Sequence, residues 1–142
     1  MILPDVNVLI YAFRQESVDH DRYREWLLGV VNGAESYGLS EFVCSSFLRI
    51  VTNRRAFEPP ASIEDSLVFL NGLRDREHCV LVSPGPRHWA IFTELVRSVG
   101  ATGNSVPDAY FAALAIDSGS EWVTTDRGFA RFPGLHWGHP LR

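Results

Sequence analysis

The sequence contains no lysine, and all 13 of its basic residues are arginine. Several functions depend on lysine, including phosphate binding in P-loop proteins, Schiff-base catalysis and the phosphorylation sites of receiver domains. A coding bias toward arginine is enough to explain this composition. Whatever its origin, the missing lysine excludes those three functions for this chain.

Cysteines are few, and no hydrophobic run is long enough to cross a membrane. Cys44 and Cys79 lie far apart and match no metal-binding spacing, so we expect reduced, packed thiols. The apolar N-terminus meets Asp5 early and has neither a basic leader nor a small-residue cleavage site, unlike a signal peptide. We therefore expect a cytoplasmic protein that makes no membrane contact.

Length and charge limit the architecture and the mode of binding. A chain of 142 residues with 46% hydrophobic residues predicts one globular domain spanning positions 1–142. The net charge of −4 argues against binding nucleic acid through a broad basic surface. Any contact with nucleic acid is expected to depend on local arginines.

Short apolar segments alternate with helical patterns along the chain. The predicted strands are "MILP", "SYGLS", "CVLVS", "EWVTT" and a final "LHW", with a turn or short helix over 126–132. Helix ends are indicated by Gly33, by Ser62 in the pattern Ser-x-x-Asp, and by Pro107 in a first helical turn. This alternation predicts βαβ units and an α/β sandwich around a mainly parallel sheet of four to five strands.

Three tryptophans occur within apolar patterns. Trp26, Trp89 and Trp122 are therefore predicted to lie in the core. Any tryptophan that is exposed instead could stack on RNA bases.

Carboxylates follow the predicted strands. Asp5 ends the first strand, Glu41 follows the second, Asp126 follows the fourth, and Asp108 opens the helix before the fourth strand. Ligands gather where parallel strands end, so we expect these acids to share one edge of the sheet. Their mutual repulsion would raise some pKa values, and a bound Mg²⁺ or Mn²⁺ would relieve it. Such a cation can lower the pKa of bound water and hold phosphodiester oxygens, which predicts hydrolysis of a phosphate ester.

Each acid also has a simpler interpretation. Asp5 can cap the following helix, a role that is compatible with metal binding. Asp108 and Glu41 can each be first-turn acids that complement a helix dipole, and for Glu41 this is as well supported as a ligand role. Asp126 can be a turn residue in "TDRG". Asp117 lies about half a turn out of phase with Asp108 and is predicted to face solvent or cap the helix end.

Three segments, "LPDVNVLIYA", "VPDAYFAALAIDSG" and "WVTTDRGFARFPGL", resemble the PIN-domain nucleases, and among them the VapC-type toxins of bacterial toxin–antitoxin modules. The segments "FLRIVTNRRAF" and "HWGHPL" resemble one VapC subgroup, and the resemblance covers essentially the whole chain in order. It implies a PIN-domain-like α/β/α sandwich and an Mg²⁺- or Mn²⁺-dependent endoribonuclease. It also implies a homodimer and a VapB-like antitoxin that places a cationic side chain near the acids.

The resemblance assigns the acidic residues individually. It implies that metal ligands are provided by Asp5, Asp108 and Asp126. The family's further acid, a Glu inside the helix after the second strand, corresponds here to Ser46. Glu41 precedes Ser46 by five positions, about 140° around a helix, so it is no simple replacement on the same face. It is nevertheless the best local candidate for a fourth catalytic acid.

Polar and basic neighbours of these acids are candidates for supporting the site and binding RNA. The resemblance implies supporting roles for Asn7 and for Thr124 or Thr125, and we take Thr125 with Asn7 as a substrate-binding candidate. Arg127 and Arg131 lie beside the last aspartate and suit phosphate binding.

Two other functions compete with the nuclease. A PIN-like module that binds RNA or protein without cutting is supported by Ser46 at the position of the expected Glu. An aspartyl-phosphate phosphatase of similar topology is disfavoured, because Asp5 is followed by Val6 and Asn7 rather than by a second Asp. The missing lysine also removes the group that would steady the phosphoryl group.

Overall fold

The computed structural model, which describes residues 1–142, contains five short strands and six α-helices. Two α-helices follow each of the first three strands. In chain order they are β1 (Ile2–Pro4), α1 (Val6–Phe13), α2 (His20–Asn32), β2 (Tyr37–Leu39), α3 (Glu41–Val51), α4 (Ile63–Arg74), β3 (Cys79–Leu81), α5 (His88–Val99), α6 (Ser105–Ser118), β4 (Glu121–Val123) and β5 (Trp137–Gly138). A 3₁₀ helix spans Arg127–Arg131. No helix combines the length and the apolar character that a bilayer crossing requires.

All strand pairs are parallel. β4 pairs with β1 on one side and β5 on the other, while β2 pairs with β3. β1 lies beside β2 without a ladder, and a Cβ on Gly38 would lie 3.3 Å from the Ile2 carbonyl oxygen. The spatial order is therefore β3-β2-β1-β4-β5, which confirms the predicted parallel α/β sheet. The last strand begins at Trp137 rather than at Leu135, where "LHW" placed it.

Local side-chain bonds start the helices where the sequence indicated. The Asp5 carboxylate accepts a hydrogen bond from the Val6 N–H at the start of α1. The Ser62 hydroxyl accepts from the Asp65 N–H, 3.1 Å away, at the start of α4. Gly33 follows the last turn of α2. The predicted roles of Ser62 and Gly33 are confirmed.

The core is built around the central strands and the alanine-rich helix α6. Trp122 of β4 is fully buried and stacks on Phe111 of α6, with ring centroids 5.2 Å apart. Buried alanines in α6, among them Ala112 and Ala113, let this helix approach β4 closely. The core position predicted for Trp122 is confirmed.

Two predictions about burial are wrong. Trp89 is 70% exposed, because α5 packs mainly against α6 and turns this residue outward. Asp117 neither faces solvent nor caps the end of α6, since its side chain is only 8% exposed. Its Oδ2 accepts a hydrogen bond from the Gly85 N–H at 2.8 Å, and Arg87 pairs with its Oδ1. The loop after β3 folds back over the end of α6 and supplies both partners.

Candidate metal centre

Asp5 lies where β1 passes into α1. Its backbone N–H donates to the Val123 carbonyl of β4 at 2.9 Å, which continues the sheet by one residue. Its Oδ1 accepts from the Val6 N–H at 2.6 Å. The residue is only 8% exposed. Strand pairing and helix capping therefore bury a carboxylate at the edge of the sheet where β1 and β4 end.

Thr124 connects Asp5 to the end of β4. Its hydroxyl donates to Asp5 Oδ2 at 2.6 Å and accepts from the Asp126 N–H at 3.0 Å. Asn7 Nδ2 donates to Asp5 Oδ2 at 3.2 Å, and Asn7 Oδ1 accepts from the Thr125 N–H at 3.3 Å. These bonds hold the ends of β1 and β4 in a fixed relation.

The predicted polar residues lie in this network, but the two threonines have different roles. Asn7 contacts the site through its side chain, whereas Thr125 contributes only its backbone N–H. The threonine side chain that touches Asp5 belongs to Thr124, which is fully buried. A sequence signal for this exists, since Thr124 follows the buried Trp122 by two positions and side chains two apart in a strand share a face.

Burial and neighbouring charge perturb Asp5. Burial is the main reason why its pKa rises from 3.8 to about 6, while the Thr124 hydroxyl and the Val6 N–H partly oppose the rise. The carboxylates of Asp108 and Asp126 raise the pKa further. Asp108 and Asp126 therefore lie close enough for their charges to act on Asp5, although the three residues come from distant parts of the chain.

The other two aspartates are anchored away from Asp5. Asp108 lies in the first turn of α6, and its Oδ2 pairs with Arg131 Nη2 at 3.1 Å. Asp126 caps the 3₁₀ helix, where its Oδ1 accepts from the Gly128 N–H at 2.8 Å. No three His, Cys, Asp or Glu side chains are arranged as a ready-made metal site. The aspartates are thus neighbours whose side chains have other partners.

Glu41 does not join them. It opens α3 as expected, but its carboxylate is paired with Arg74 at the end of α4 and is 62% exposed. The charges of Asp108 and Asp126 act on Asp5, whereas Glu41 faces another helix.

The donor atoms of the site suit a hard cation. Asp5, Asp108 and Asp126 offer carboxylate oxygens, and neither a thiol nor an imidazole contacts them. Oxygen ligands are the ones that Mg²⁺ and Mn²⁺ prefer, so these residues fit such an ion chemically. Two arginines accompany them on the 3₁₀ helix. Arg131 pairs with Asp108, whereas Arg127 is exposed and has no ion-pair partner.

The sequence and the fold are both similar to those of known proteins. The family model of the PIN domain matches residues 2–135. Ribonuclease VapC43 of Mycobacterium tuberculosis is 42% identical over 141 residues, which covers 99% of this chain and 96% of that protein. Ribonuclease VapC25 of the same organism is 36% identical over 135 residues, with 95% of each chain covered.

Solved structures show the same fold at lower identity. The VapBC2 complex of Rickettsia felis, bound to a DNA fragment from its promoter, matches with a TM-score of 0.69 and 20% identity, covering 98% of both chains. VapC20 of Mycobacterium tuberculosis, a toxin that cleaves the sarcin–ricin loop, matches with a TM-score of 0.64 and 13% identity. It covers 96% of this chain and 99% of that one.

Proposed function

Since this chain belongs to the PIN-domain family, with VapC ribonucleases among its relatives, we propose that it is an endoribonuclease that depends on Mg²⁺ or Mn²⁺. Identity to VapC43 extends over nearly all of both proteins, which supports carrying over the activity as well as the fold. We further propose that residues 1–142 act as one catalytic domain. The observation that carries the proposal is the buried Asp5 carboxylate, which Thr124 links to the Asp126 backbone and on which the charges of Asp108 and Asp126 act.

The three aspartates would hold the cation, and the chain's other residues keep them in place. A bound divalent ion supplies charge neutralisation on the phosphate and a more acidic water. Asp5 is held ready by the Thr124 hydroxyl and by Asn7, so its carboxylate needs little reordering when the cation arrives. Holding reactants in position in this way is a large part of catalysis by such sites.

RNA binding is assigned to groups around the aspartates rather than to a basic surface. The net charge of −4 leaves local contacts as the source of affinity. Arg127, exposed beside Asp126, would contact a phosphate, and Arg131 lies on the same 3₁₀ helix. Asn7 and Thr125 add polar groups at the edge of the site.

Replacing one carboxylate tests the activity. Asp5→Asn keeps the size of the side chain and an acceptor for the Val6 N–H, but it removes the charge. Cleavage of labelled RNA in Mg²⁺ or Mn²⁺ is expected to disappear, while circular dichroism shows an intact fold. Glu94→Gln removes an exposed carboxylate from α5 and serves as the control, with full activity. Undiminished cleavage by Asp5→Asn in clean preparations would overturn the proposal.

A binding module without catalysis is the second candidate. It is favoured by Ser46 at the position of the family's further Glu and by the pairing of Glu41 with Arg74. If Glu41 is the fourth catalytic acid, it must leave Arg74, and Glu41→Gln will lower the cleavage rate. Mn²⁺ binding without cleavage of any RNA tested would favour the binding module.

Partners are proposed from the same relationship. Structural neighbours include toxin–antitoxin complexes such as VapBC2, so we propose a VapB-like antitoxin that covers the acidic site. We also propose a homodimer that covers exposed aromatic residues, since Phe42 is 51% exposed and Trp89 70% exposed. Free Cys44 and Cys79 fit a reducing cytoplasm, where RNA is available. A monomer in analytical ultracentrifugation would contradict the dimer.

A further inference from the structure

Arg131 is held in place by three contacts. Its Nη2 lies 3.1 Å from Asp108 Oδ2, and its Nη1 donates to the Gly128 carbonyl. Its guanidinium carbon lies 4.5 Å from the centre of the Phe132 ring. The side chain is only 35% exposed. A guanidinium fixed by an ion pair, a hydrogen bond and an aromatic face is more than a loosely solvated surface charge.

Gly128 shows how close this guanidinium comes to Asp126. A Cβ built on Gly128 would lie 2.8 Å from Arg131 Nη1 and 2.9 Å from Asp126 Oδ1. Both atoms therefore approach the same point, which only glycine leaves free. The guanidinium contacts one of the proposed metal ligands and lies next to a second.

We propose that Arg131 is a positioning residue that competes with the divalent cation for Asp108. The inference rests on the proposed metal site. In the metal-free protein the guanidinium neutralises Asp108 and keeps Oδ2 turned toward the 3₁₀ helix. A cation bound to either oxygen of Asp108 adds a second positive charge at the same carboxylate, and its repulsion with the guanidinium favours release of Asp108 by Arg131. Arg131 thereby lowers the affinity of the site for metal and is free to meet a phosphate after the exchange.

The size of the effect follows from the exposure of the pair. Both side chains are about one-third exposed, at 35% and 32%. Ion pairs of this kind contribute roughly 0.2–1 kcal/mol, which corresponds to a change of up to about fivefold in an equilibrium constant. Removing Arg131 is therefore expected to tighten Mn²⁺ binding by about 1.4- to fivefold.

Arg127 provides a matched control. It lies on the same 3₁₀ helix, also beside Asp126, but it is exposed and pairs with no carboxylate. Replacing either arginine by Met removes one positive charge near the aspartates and keeps an unbranched stem. Only the change at 131 frees Asp108. Because Arg127 is exposed and makes no ion pair, its charge acts mainly through water, and Arg127→Met should change the affinity by less than about twofold.

The experiment measures Mn²⁺ affinity in the full-length protein without RNA. Free Mn²⁺ is quantified by electron paramagnetic resonance in the wild type, Arg131→Met, Arg127→Met, Asp108→Asn and the double variant Asp108→Asn/Arg131→Met. We expect tighter binding in Arg131→Met and almost none of this gain when Asp108 is already Asn. Arg131→Gln is the second variant if Met disturbs the packing against Phe132.

The outcomes separate this inference from the proposed function. Equal or weaker Mn²⁺ binding in Arg131→Met and Arg131→Gln overturns the competition while leaving the metal site in place. An equal gain in Mn²⁺ affinity in Arg127→Met, or from Arg131→Met in the Asp108→Asn background, would mean that the loss of any nearby positive charge has this effect. Either result also overturns the competition. If neither the wild type nor Arg131→Met binds Mn²⁺, the metal site and the inference fail together.

Discussion

Changing Asp5 to Asn should make the metal-free protein more stable at alkaline pH while destroying its activity. The carboxylate is 8% exposed, and its pKa is raised from 3.8 to about 6, mainly by burial. The folded protein therefore prefers the protonated form and resists ionisation. A residue needed for metal binding is expected to weaken the fold whenever the metal is absent.

The sign and the size follow from the two pKa values. Between pH 3.8 and about 6 the folded state holds a proton that the unfolded state has lost, so the contribution of Asp5 to stability falls as pH rises through this window. Above it the cost stays constant at about 3 kcal/mol, since each pKa unit corresponds to about 1.4 kcal/mol. Asn keeps an acceptor for the Val6 N–H but no longer accepts from the Thr124 hydroxyl or from Asn7 Nδ2, a combined loss of about 1 kcal/mol. The net gain is about 2 kcal/mol at pH 8 and near zero at about pH 4.5.

Urea denaturation followed by circular dichroism measures this difference. Both proteins are unfolded in EDTA at the two pH values, with Glu94→Gln as an exposed-carboxylate control expected to differ by less than about 0.5 kcal/mol. In Mn²⁺ without EDTA, only the wild type should gain stability, which reduces or reverses the difference between the two proteins. A variant that is less stable than the wild type at both pH values, or a difference that ignores pH, would refute the reasoning.

Three further experiments, two substitutions and one alkylation, test other parts of the structure. Thr124→Val should destabilise the protein by about 1–3 kcal/mol in urea, because Asp5 and the Asp126 N–H lose a buried partner; an unchanged midpoint would rule out the network. Asp117→Ala should cost about 1–2 kcal/mol and leave RNA cleavage intact, since it ties the loop after β3 to α6; lost cleavage in folded protein would contradict this. Burial raises the pKa of Cys44 from 9.0 to about 11, which lowers its thiolate fraction at pH 8 about 100-fold. Because a thiolate of higher pKa is also more nucleophilic, alkylation by iodoacetamide should be at least about tenfold slower in the folded protein than in urea, as mass spectrometry can show. Equal rates in the two states would place this thiol at the surface.

Much of the fold is readable from local patterns. An apolar run that ends in a carboxylate predicted β1 and the start of α1, and the Ser-x-x-Asp pattern predicted the start of α4. These signals are strong because capping and strand burial depend on a few adjacent residues. The last strand was placed two residues early because a two-residue strand carries almost no pattern.

Side-chain environments created by distant segments were harder to predict. The position of Asp117 around the helix relative to Asp108 indicates a side chain that faces solvent, but the loop containing Gly85 covers it. Trp89 has a core-like composition around it, yet α5 turns it outward. Helical periodicity identifies the faces of a helix but does not say which of them another element will cover.

The candidate metal centre shows the same contrast between local patterns, which could be predicted, and contacts between distant segments, which could not. The positions of Asp5 and Asp126 after two strands predicted that they lie at the same edge of the sheet, because parallel strands have their carboxyl ends at one edge. The ion pair of Asp108 with Arg131, and that of Glu41 with Arg74, could not be predicted, since each joins residues far apart in the chain. These pairs decide which way a carboxylate turns in the metal-free protein.

A crystal structure of the protein grown or soaked with Mn²⁺, with the ion located by its anomalous scattering, tests the shared metal centre most directly. We predict an ion within about 2.5 Å of carboxylate oxygens from Asp5, Asp108 and Asp126 together. An ion bound elsewhere, or a fully soaked crystal in which these three side chains hold none, would contradict the account.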